Sequence, residues 1–542
     1  MKRWSIHSWP LLLVAACHAG GAGDPALHES GGAGGAAPSA PGPLAADCTQ
    51  AQLGKPVLRL LNRAQFTRTI DDIFPEVKSA WQNTLPADPV STMGFDNDGS
   101  TVVGPQLAQA LLDTASSVAS TLGATALPSI LPCSAAAADR ACADQFLTRY
   151  GRRLFRRALS EAERTRYLSF FDAALPRSDF KTALKWLTVG LIQSPNAVYR
   201  SEIGSLEGGG RKLDAREVVT ELSYTFAGST PSDALLAQAE GGTPLDAPAL
   251  AKALVATDSG KAALQHFFES YLDYARVASI ERANVPQFSS VRSDMIQETR
   301  SFIDQIVIQN RGGLKELLTA GTTNPSSALA TYYGFPSPAA DGASVTRAAG
   351  RGIGLLAQGS VMASRAQPNG SSPTKRGLLV FSRLLCNSVP SPPANVPSIP
   401  SPAPGVVTTR QRYEEQHAKN QPCSTCHTLF DPIGFGFEHF DEGGRYRETE
   451  NGLAIDTTSN VPGKDRQPLF QFQDQESLAR GLAEQDVVYG CFAAYLATYA
   501  FGTADSCLGA SRVSELRAGT LGIADYYAAL AAEPHFTRRA SQ

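Results

Sequence analysis

Apolar side chains recur at the helical period along most of this chain. Asn62 precedes Phe66, Ile70 and Phe74, and a similar spacing returns between Leu107 and Leu122. Because an α-helix turns about every 3.6 residues, positions three or four apart lie on one face. The alternation of apolar and polar residues that marks a half-buried strand is scarce. The sequence therefore predicts a mainly α fold.

Two predicted helices begin with capping boxes. Ser160 with Glu163, and Asp214 with Glu217, have the spacing in which a cap and the third helical residue bond each other's backbone N–H groups. The segments VRSDMIQETRSFIDQIVIQN and KRGLLVFSRLLC also predict helices. The apolar faces predicted behind the two boxes comprise Tyr167, Phe170, Phe171 and Ala174, and Val218, Leu222 and Phe226.

Length and composition predict several helical units in series, because 542 residues are too many for one ordinary core. A Gly/Ala/Pro-rich tether and a proline-rich connector, 387–405, interrupt the helical pattern; the connector is either a plain linker or an ordered strap. The predicted units are a signal peptide 1–17, the tether 18–54, helical units 55–130, 131–204 and 205–345, a cytochrome c-like CxxCH unit 346–465 that includes the connector, and a C-terminal helical unit 466–542.

The N-terminus has the features of a bacterial export signal. Lys2 and Arg3 precede a short apolar run, and Val14-Ala-Ala-Cys17 resembles a lipoprotein box, in which Cys17 is lipidated. The alternative is an ordinary signal peptide that is cleaved further on. No later apolar run approaches the roughly 18 residues that span a bilayer. We expect a lipoprotein on the periplasmic face of a membrane or on the cell surface, bound to the membrane through its lipid.

The charge balance argues against nucleic acid as a partner. The chain has 48 basic and 51 acidic residues, which give a formal net charge of −3. It therefore has no basic field to attract a phosphate backbone.

Export also predicts disulfides, because thiols oxidise outside the cytoplasm. Cys17, Cys423 and Cys426 are set aside for lipid and motif. Local pairing would join Cys133 to Cys142 and Cys491 to Cys507, although sequence does not fix the connectivity and Cys386 could be a buried thiol. The six remaining cysteines are Cys48, Cys133, Cys142, Cys386, Cys491 and Cys507.

The motif Cys423-x-x-Cys426-His427 predicts one covalent haem c. Two thiols can form thioether bonds to the haem vinyl groups, and the imidazole can ligate the iron. A zinc site, a dithiol redox centre and a plain structural disulfide are the alternatives. The zinc alternative lacks a second pair of ligands, and the dithiol alternative lacks a βαβ context.

The residues after the motif suggest a haem pocket. Asp431-Pro432 is expected to turn the chain, three phenylalanines could cover a porphyrin, and two arginines could face its propionates. The alternative is that the phenylalanines are ordinary core and the arginines ordinary surface. The residues concerned are Phe435, Phe437, Phe440, Arg445 and Arg447.

The second axial ligand decides between electron transfer and catalysis, because an open iron position permits a substrate to bind. No methionine follows the motif. We expect Met362 to ligate or closely cover the iron, with an open position as the alternative. His417 and His439 would have to bend sharply around the ring edge.

The chain also resembles a family of exported multidomain proteins from planctomycete-type and myxobacterial-type bacteria. These are built from domains of unknown function (the 1587, 1595, 1592, 1588 and 1585 series) and carry a cytochrome c-like CxxCH motif. The resemblance runs from Leu58 to Phe536 and rests on LRLLNRAQFTRTIDDIF, GFDND, RRLFRRALSEAE, LIQSPNAVYRSEIG, SSPTKRGLLVFSRLLC and, above all, CSTCHTLFDPIGFGFEHFDEGGRYR. It implies that Cys423, Cys426 and His427 are a haem attachment site, and it implies no particular reaction.

The sequence thus predicts an exported, lipid-anchored c-type cytochrome-like protein that acts in electron transfer or as a redox subunit with a partner protein. One alternative is a non-catalytic surface scaffold with the CxxCH cysteines in disulfides. A second alternative is a haem oxidase or peroxidase. Whether the protein is an enzyme, its substrate and its oligomeric state are not determined by the sequence.

Overall fold

The fold is described for most of the chain after the tether. All described residues lie in the compact unit 36–542. Cys17 and most of 18–54 and 387–405 lie outside the described residues. The computed structural model describes residues 48, 53–97, 102–133, 139–389, 407–419, 423–463, 467–503 and 507–541, without the side chains of Gln416 and His417.

The first helices form a body with its own hydrophobic core. They are α1 Arg63–Ile73, α2 Pro105–Thr121, α3 Leu127–Ile130, α4 Arg140–Phe146, α5 Arg152–Phe155, α6 Glu161–Ala174, α7 Phe180–Ile192 and α8 Pro195–Val198. Helix α7 packs against α2 and α6, and α4 packs against α6. Phe66, Leu111, Phe146 and Leu187 are buried between them. This body contains helices from both predicted units 55–130 and 131–204.

Most of the remaining helices share a second, larger core, whereas α10 (Asp233–Glu240) packs in a small separate cluster. The larger core is built by residues as far apart as Phe95, Phe267, Met362, Phe437 and Phe536. The predicted fold class is confirmed, whereas the predicted unit boundaries stay predictions. The helices are α9 Ala215–Phe226, α10 Asp233–Glu240, α11 Ala247–Val255, α12 Asp258–Leu272, α13 Phe288–Ile303, α14 Leu314–Thr319, α15 Ser327–Tyr333, α16 Gly359–Ser364, α17 Pro373–Arg383, α18 Thr409–Tyr413, α19 Ser424–Phe435, α20 Gln475–Ala483, α21 Asp486–Phe501, α22 Val513–Ala518 and α23 Ile523–Ala529.

The strands are short and pair in small antiparallel sheets. Strand β1 pairs with β2, β4 with both β3 and β11, β5 with β6, β7 with β8 and β9 with β10. None of the helices in the described ranges is both long enough and apolar enough to cross a bilayer. The strands are β1 Val57–Leu60, β2 Tyr199–Glu202, β3 Ser205–Glu207, β4 Gly210–Lys212, β5 Thr322–Thr323, β6 Val345–Thr346, β7 Thr449–Glu450, β8 Leu453–Ala454, β9 Ser459–Pro462, β10 Pro468–Phe472 and β11 Arg538–Arg539.

The predicted helix starts are confirmed. Asn62 caps α1 and accepts a hydrogen bond from the backbone N–H of Gln65. Asp214 and Glu217 form the capping box of α9, and Ser160 forms one with the third residue of α6. Local polar spacing therefore specifies where these helices begin.

The predicted apolar face of α6 is partly wrong. Leu168 and Phe171 are buried, whereas Phe170 is 49% exposed. The buried face is the one that meets α4 and α7, and adjacent aromatic residues cannot both point into it.

The GFDND segment joins the first body to the larger core. Phe95 packs against Phe267, with 5.9 Å between ring centroids. Asp96 pairs with Nε2 of His266 at 2.9 Å, and the Asn97 side chain donates to the backbone oxygen of Tyr499. The segment is therefore a structural contact between distant parts of the sequence.

Three disulfides link the six remaining cysteines. The predicted Cys133–Cys142 bond is confirmed, with 5.6 Å between Cα atoms. The predicted Cys491–Cys507 pair is wrong, because Cys491 bonds Cys386 and Cys507 bonds Cys48. These bonds close loops of 105 and 459 residues. Cys386 follows α17 and Cys491 lies in α21, so tertiary packing decides this pairing.

Candidate functional site

The CxxCH motif forms the first turn of α19. Cys423 precedes the helix, and its carbonyl accepts hydrogen bonds from the backbone N–H groups of Cys426 and His427, at 3.3 and 3.1 Å. Cys423 and Cys426 are partly exposed thiols. One helical turn therefore places both thiols and the imidazole near each other.

A carboxylate on the same helix holds the imidazole. Nδ1 of His427 lies 2.9 Å from Oδ2 of Asp431, four residues further along. The Asp431 side chain is only 6% exposed, and that of His427 is 21% exposed. Because an ionised carboxylate only accepts hydrogen bonds, Nδ1 is the donor. A neutral imidazole with its proton on Nδ1 carries its lone pair on Nε2.

The second oxygen of this carboxylate is bound from another helix. The hydroxyl of Thr374, in α17, donates to Oδ1 of Asp431 at 2.7 Å and lies 3.3 Å from Nδ1 of His427. Sequence reasoning identified His427 but missed the roles of Thr374 and Asp431. Only the four-residue spacing between His427 and Asp431 could have indicated that pair.

The expected turn at Asp431-Pro432 is wrong, because α19 continues through Pro432 to Phe435. Proline inside a helix loses one backbone hydrogen bond and crowds the preceding turn. Close packing of α19 on α17 accompanies this unusual proline. The continuous helix is what brings Asp431 back under His427.

Two glycines allow the two helix backbones to touch. A Cβ on Gly377 would overlap the carbonyl oxygen of Phe430, and a Cβ on Gly434 would overlap that of Pro373. Only glycine permits such an approach. Thr374 follows Pro373 directly, so this contact places its hydroxyl beside Asp431.

The imidazole also lies against an aromatic wall. The ring centroid of Phe430 is 5.2 Å from that of His427, and Phe381 of α17 lies 6.1 Å from Phe430. Phe430 is buried, and Cys426 packs partly on the same core. Leu429, on the outer side of the helix, is 40% exposed.

The three phenylalanines suggested as porphyrin cover are buried in the protein. Phe437 and Phe440 belong to the large core, and the guanidinium of Arg410 lies 4.9 Å from the ring centroid of Phe435. The structure thus shows the ordinary-core alternative for Phe437 and Phe440.

The two arginines suggested for propionates form ion pairs within the protein. Arg445 bonds Asp441 at 2.8 Å. Arg447 lies 3.1 Å from Glu450 and 3.6 Å from Glu438. Their charges are therefore matched by neighbouring carboxylates.

Behind the site, Arg376 anchors the chain that leaves α19. Its guanidinium is fully buried and donates to the backbone oxygens of Phe437, Phe440, Asp441 and Met362, at 2.6 to 3.3 Å. Burial lowers the pKa of Arg376 to about 10, so it stays charged at neutral pH. One side chain thus ties four backbone carbonyls to α17.

Met362 is fully buried in α16, which packs against α13 and residues 274–279. No hydrogen bond or ring contact among the described side chains joins it to His427. Its role as iron ligand stays a prediction.

His439 and His417 are the two other histidines considered as iron ligands, and the structure describes the side chain of His439 only. Nδ1 of His439 bonds the Tyr446 hydroxyl at 2.9 Å, and burial lowers the His439 pKa. The His417 side chain lies outside the described residues. Within the described part of the chain, no three His, Cys, Asp or Glu side chains gather into a metal-binding cluster.

Four family models match the chain in series. They are PSD3, protein of unknown function (DUF1587), at 59–123; PSD5 (DUF1595) at 142–202; PSD4 (DUF1592) at 213–335; and PSCyt3 (DUF1588) at 351–450, all with the same description. The last match includes the CxxCH turn, and the predicted 1585 domain stays a prediction. No curated protein and no solved structure matched the chain. Because the four domains occur in the predicted order, the chain belongs to the family of multidomain proteins built from this series of domains of unknown function.

Proposed function

We propose that this protein is an exported, lipid-anchored c-type cytochrome-like protein that exchanges electrons with a redox partner protein. Cys423 and Cys426 would attach one haem, and His427 would ligate its iron. When bound, the haem supplies a one-electron ferric/ferrous couple.

The observation that carries the proposal is the chemical state of Cys423, Cys426 and His427, the residues that would bind the haem. Cys423 and Cys426 are both thiols, while the six other described cysteines are in disulfides. Thioether attachment consumes thiols, so a disulfide between them would block it. The Nδ1 hydrogen bond to Asp431 selects the His427 tautomer that has its lone pair on Nε2.

The surroundings suit electron exchange at the protein surface. Cys423 and Cys426 are partly exposed, and Leu429 on the next turn is 40% exposed. Phe430 and the buried Asp431 form the inner side of the same helix. A partner can therefore approach the first turn of α19, while the core fixes the ligand.

Covalent haem is the first expected result. Full-length protein from a host with cytochrome c maturation should show a Soret band that remains with the polypeptide after denaturation and acid–acetone extraction. The Cys423→Ser/Cys426→Ser variant should lose it, because no thioether can form. A Cys133→Ser/Cys142→Ser variant is the matched control, since it removes two cysteines far from the motif and should keep the haem.

Colourless protein with Cys423 and Cys426 joined in a disulfide would contradict the haem proposal and favour the scaffold alternative. In the loaded protein, Met362→Leu tests the sixth ligand. A ferric spectrum equal to that of the parent would exclude Met362. A high-spin ferric parent that binds cyanide readily would indicate an open position and favour an oxidase or peroxidase.

The lipid anchor is the second expected result. The mature protein should begin at Cys17 and fractionate with membranes, and Cys17→Ala should remain unprocessed or be released, because the lipid is attached to this thiol. Mass analysis of the N-terminal peptide measures this. His18→Ala, a change beside the cleavage point, should still be lipidated. A mature N-terminus well beyond Cys17 would exclude the anchor.

A further inference from the structure

We propose that Asp431 is a positioning residue that strengthens His427 as an iron donor and makes this centre a low-potential haem held in the ferric state. The inference deepens the proposed function and rests on it. It concerns Asp431, for which the sequence predicted only a turn of the chain, and its hydrogen-bond partner Thr374.

The geometry of the pair is fixed from two sides. Within α19, the four-residue spacing stacks Asp431 under His427, with 2.9 Å between Oδ2 and Nδ1. From α17, the Thr374 hydroxyl donates to the other oxygen, Oδ1, at 2.7 Å. Each oxygen of the carboxylate therefore has a hydrogen-bond donor, and each donor comes from a different helix.

The helices themselves have little freedom to move apart or rotate. The Gly377 and Gly434 backbones contact the carbonyls of Phe430 and Pro373 directly. Thr374 is adjacent to one of these contacts, and Asp431 is adjacent to the other. The hydrogen bond to the imidazole is thus part of a rigid helix pair.

Burial strengthens the electrostatic effect of the Asp431 carboxylate on the imidazole of His427. The Asp431 side chain is 6% exposed, so water screens its charge poorly. A carboxylate that accepts a hydrogen bond from Nδ1–H increases the electron density at Nε2 and the basicity of the ligand. The ferric ion carries one more positive charge than the ferrous ion and gains more from this density. The reduction potential of the couple should therefore fall.

A lower reduction potential is opposite to the effect of a methionine ligand, which raises the potential of c-type cytochromes. A haem whose reduction potential is lowered by Asp431 would take one electron only from a strongly reducing partner protein and would pass it readily to an acceptor. No atom is transferred in this exchange. The inference thus specifies the kind of donor that the proposed electron-transfer function requires.

The test uses haem-loaded full-length protein and its Asp431→Asn variant. Asparagine keeps the shape of the side chain but removes its charge. At a fixed ambient potential, the ferrous-to-ferric ratio of the variant should rise at least tenfold, which corresponds to about 59 mV for one electron. The iron–histidine stretching frequency in the resonance Raman spectrum should fall. Asp258→Asn, at a fully exposed carboxylate, is the matched control and should change neither value.

The Thr374→Val variant is a second test, and it should shift the reduction potential in the direction opposite to Asp431→Asn. Loss of the hydroxyl removes the donor that draws charge from Oδ1, so Asp431 should bind the imidazole proton more strongly and the potential should fall. A purely structural role for both residues would shift both variants in the same direction. That outcome, or an Asp431→Asn potential equal to that of the parent, would overturn the inference while the haem proposal stands.

A third measurement separates this inference from failure of the proposed function. In haem-free protein, ¹⁵N NMR of His427 should show the proton on Nδ1 in the parent. A proton on Nε2 would overturn the inference whether or not haem attaches. If the Soret test finds no covalent haem in the parent, the proposed function and this inference both fall.

Discussion

The Gly434→Ala substitution is expected to destabilise the α17–α19 pair by about 3 kcal/mol or more. A Cβ at this position would overlap the carbonyl oxygen of Pro373, which is backbone and cannot rotate away as a side chain would. Overpacking a core typically costs about 1–3 kcal/mol, and a clash with backbone belongs at the upper end. Hydrogen exchange of the amides in α17 and α19 measures the effect on this pair directly.

The Gly321→Ala variant is the matched control for this prediction. A Cβ on Gly321 would meet no atom within 4 Å, so its stability should change by less than about 0.5 kcal/mol. In loaded protein, Gly434→Ala should also shift the reduction potential in the same direction as Thr374→Val, because separation of the helices would withdraw the Thr374 hydroxyl from Asp431. Equal exchange protection in the two glycine variants would show that the helices do not need this contact.

The helix starts were predictable because their causes are local. Asn62 and Ser160 each bond a backbone group three residues away, so a short window of sequence contains the whole interaction. The burial of Leu168 instead of Phe170 was not predictable in this way. It depends on where neighbouring helices pack, which the periodicity of one helix does not specify.

Of the candidate site, only the CxxCH motif itself was predictable from the sequence. Cys423, Cys426 and His427 are contiguous and identify a chemistry by their spacing. Thr374 lies 57 residues before Asp431, and no local pattern relates them. Asp431-Pro432 has the composition of a turn, yet packing on α17 keeps it helical. The Cys386–Cys491 bond follows the same rule, because its partners meet only after tertiary packing.

Arg376→Met is expected to destabilise the protein by about 3–5 kcal/mol, the second large effect. Arg376 is fully buried, and methionine would remove the hydrogen bonds that its guanidinium donates to four backbone carbonyls. The substitution would also remove one of the two cations beside the buried Glu438, whose carboxylate is 2% exposed and lies 3.9 Å from Arg376 and 3.6 Å from Arg447. Urea unfolding followed by tryptophan fluorescence and by far-UV circular dichroism measures the loss.

A double-mutant cycle with Glu438→Gln separates the two parts of this cost. Burial raises the pKa of Glu438, and Ser371 donates to its carboxylate at 2.6 Å. If the buried charge contributes, Arg376→Met/Glu438→Gln should be more stable than the sum of the single losses by about 1–2 kcal/mol. The remaining loss of stability then belongs to the hydrogen bonds with the four backbone carbonyls. Arg376→Lys should recover only part of the lost stability. The two terminal nitrogens of the planar guanidinium each bond carbonyls, and a single ammonium cannot reach all of them. A cost below about 1 kcal/mol for Arg376→Met would mean that water replaces the guanidinium, and that other contacts, such as the core phenylalanines and the Arg445–Asp441 ion pair, are enough to hold the chain leaving α19.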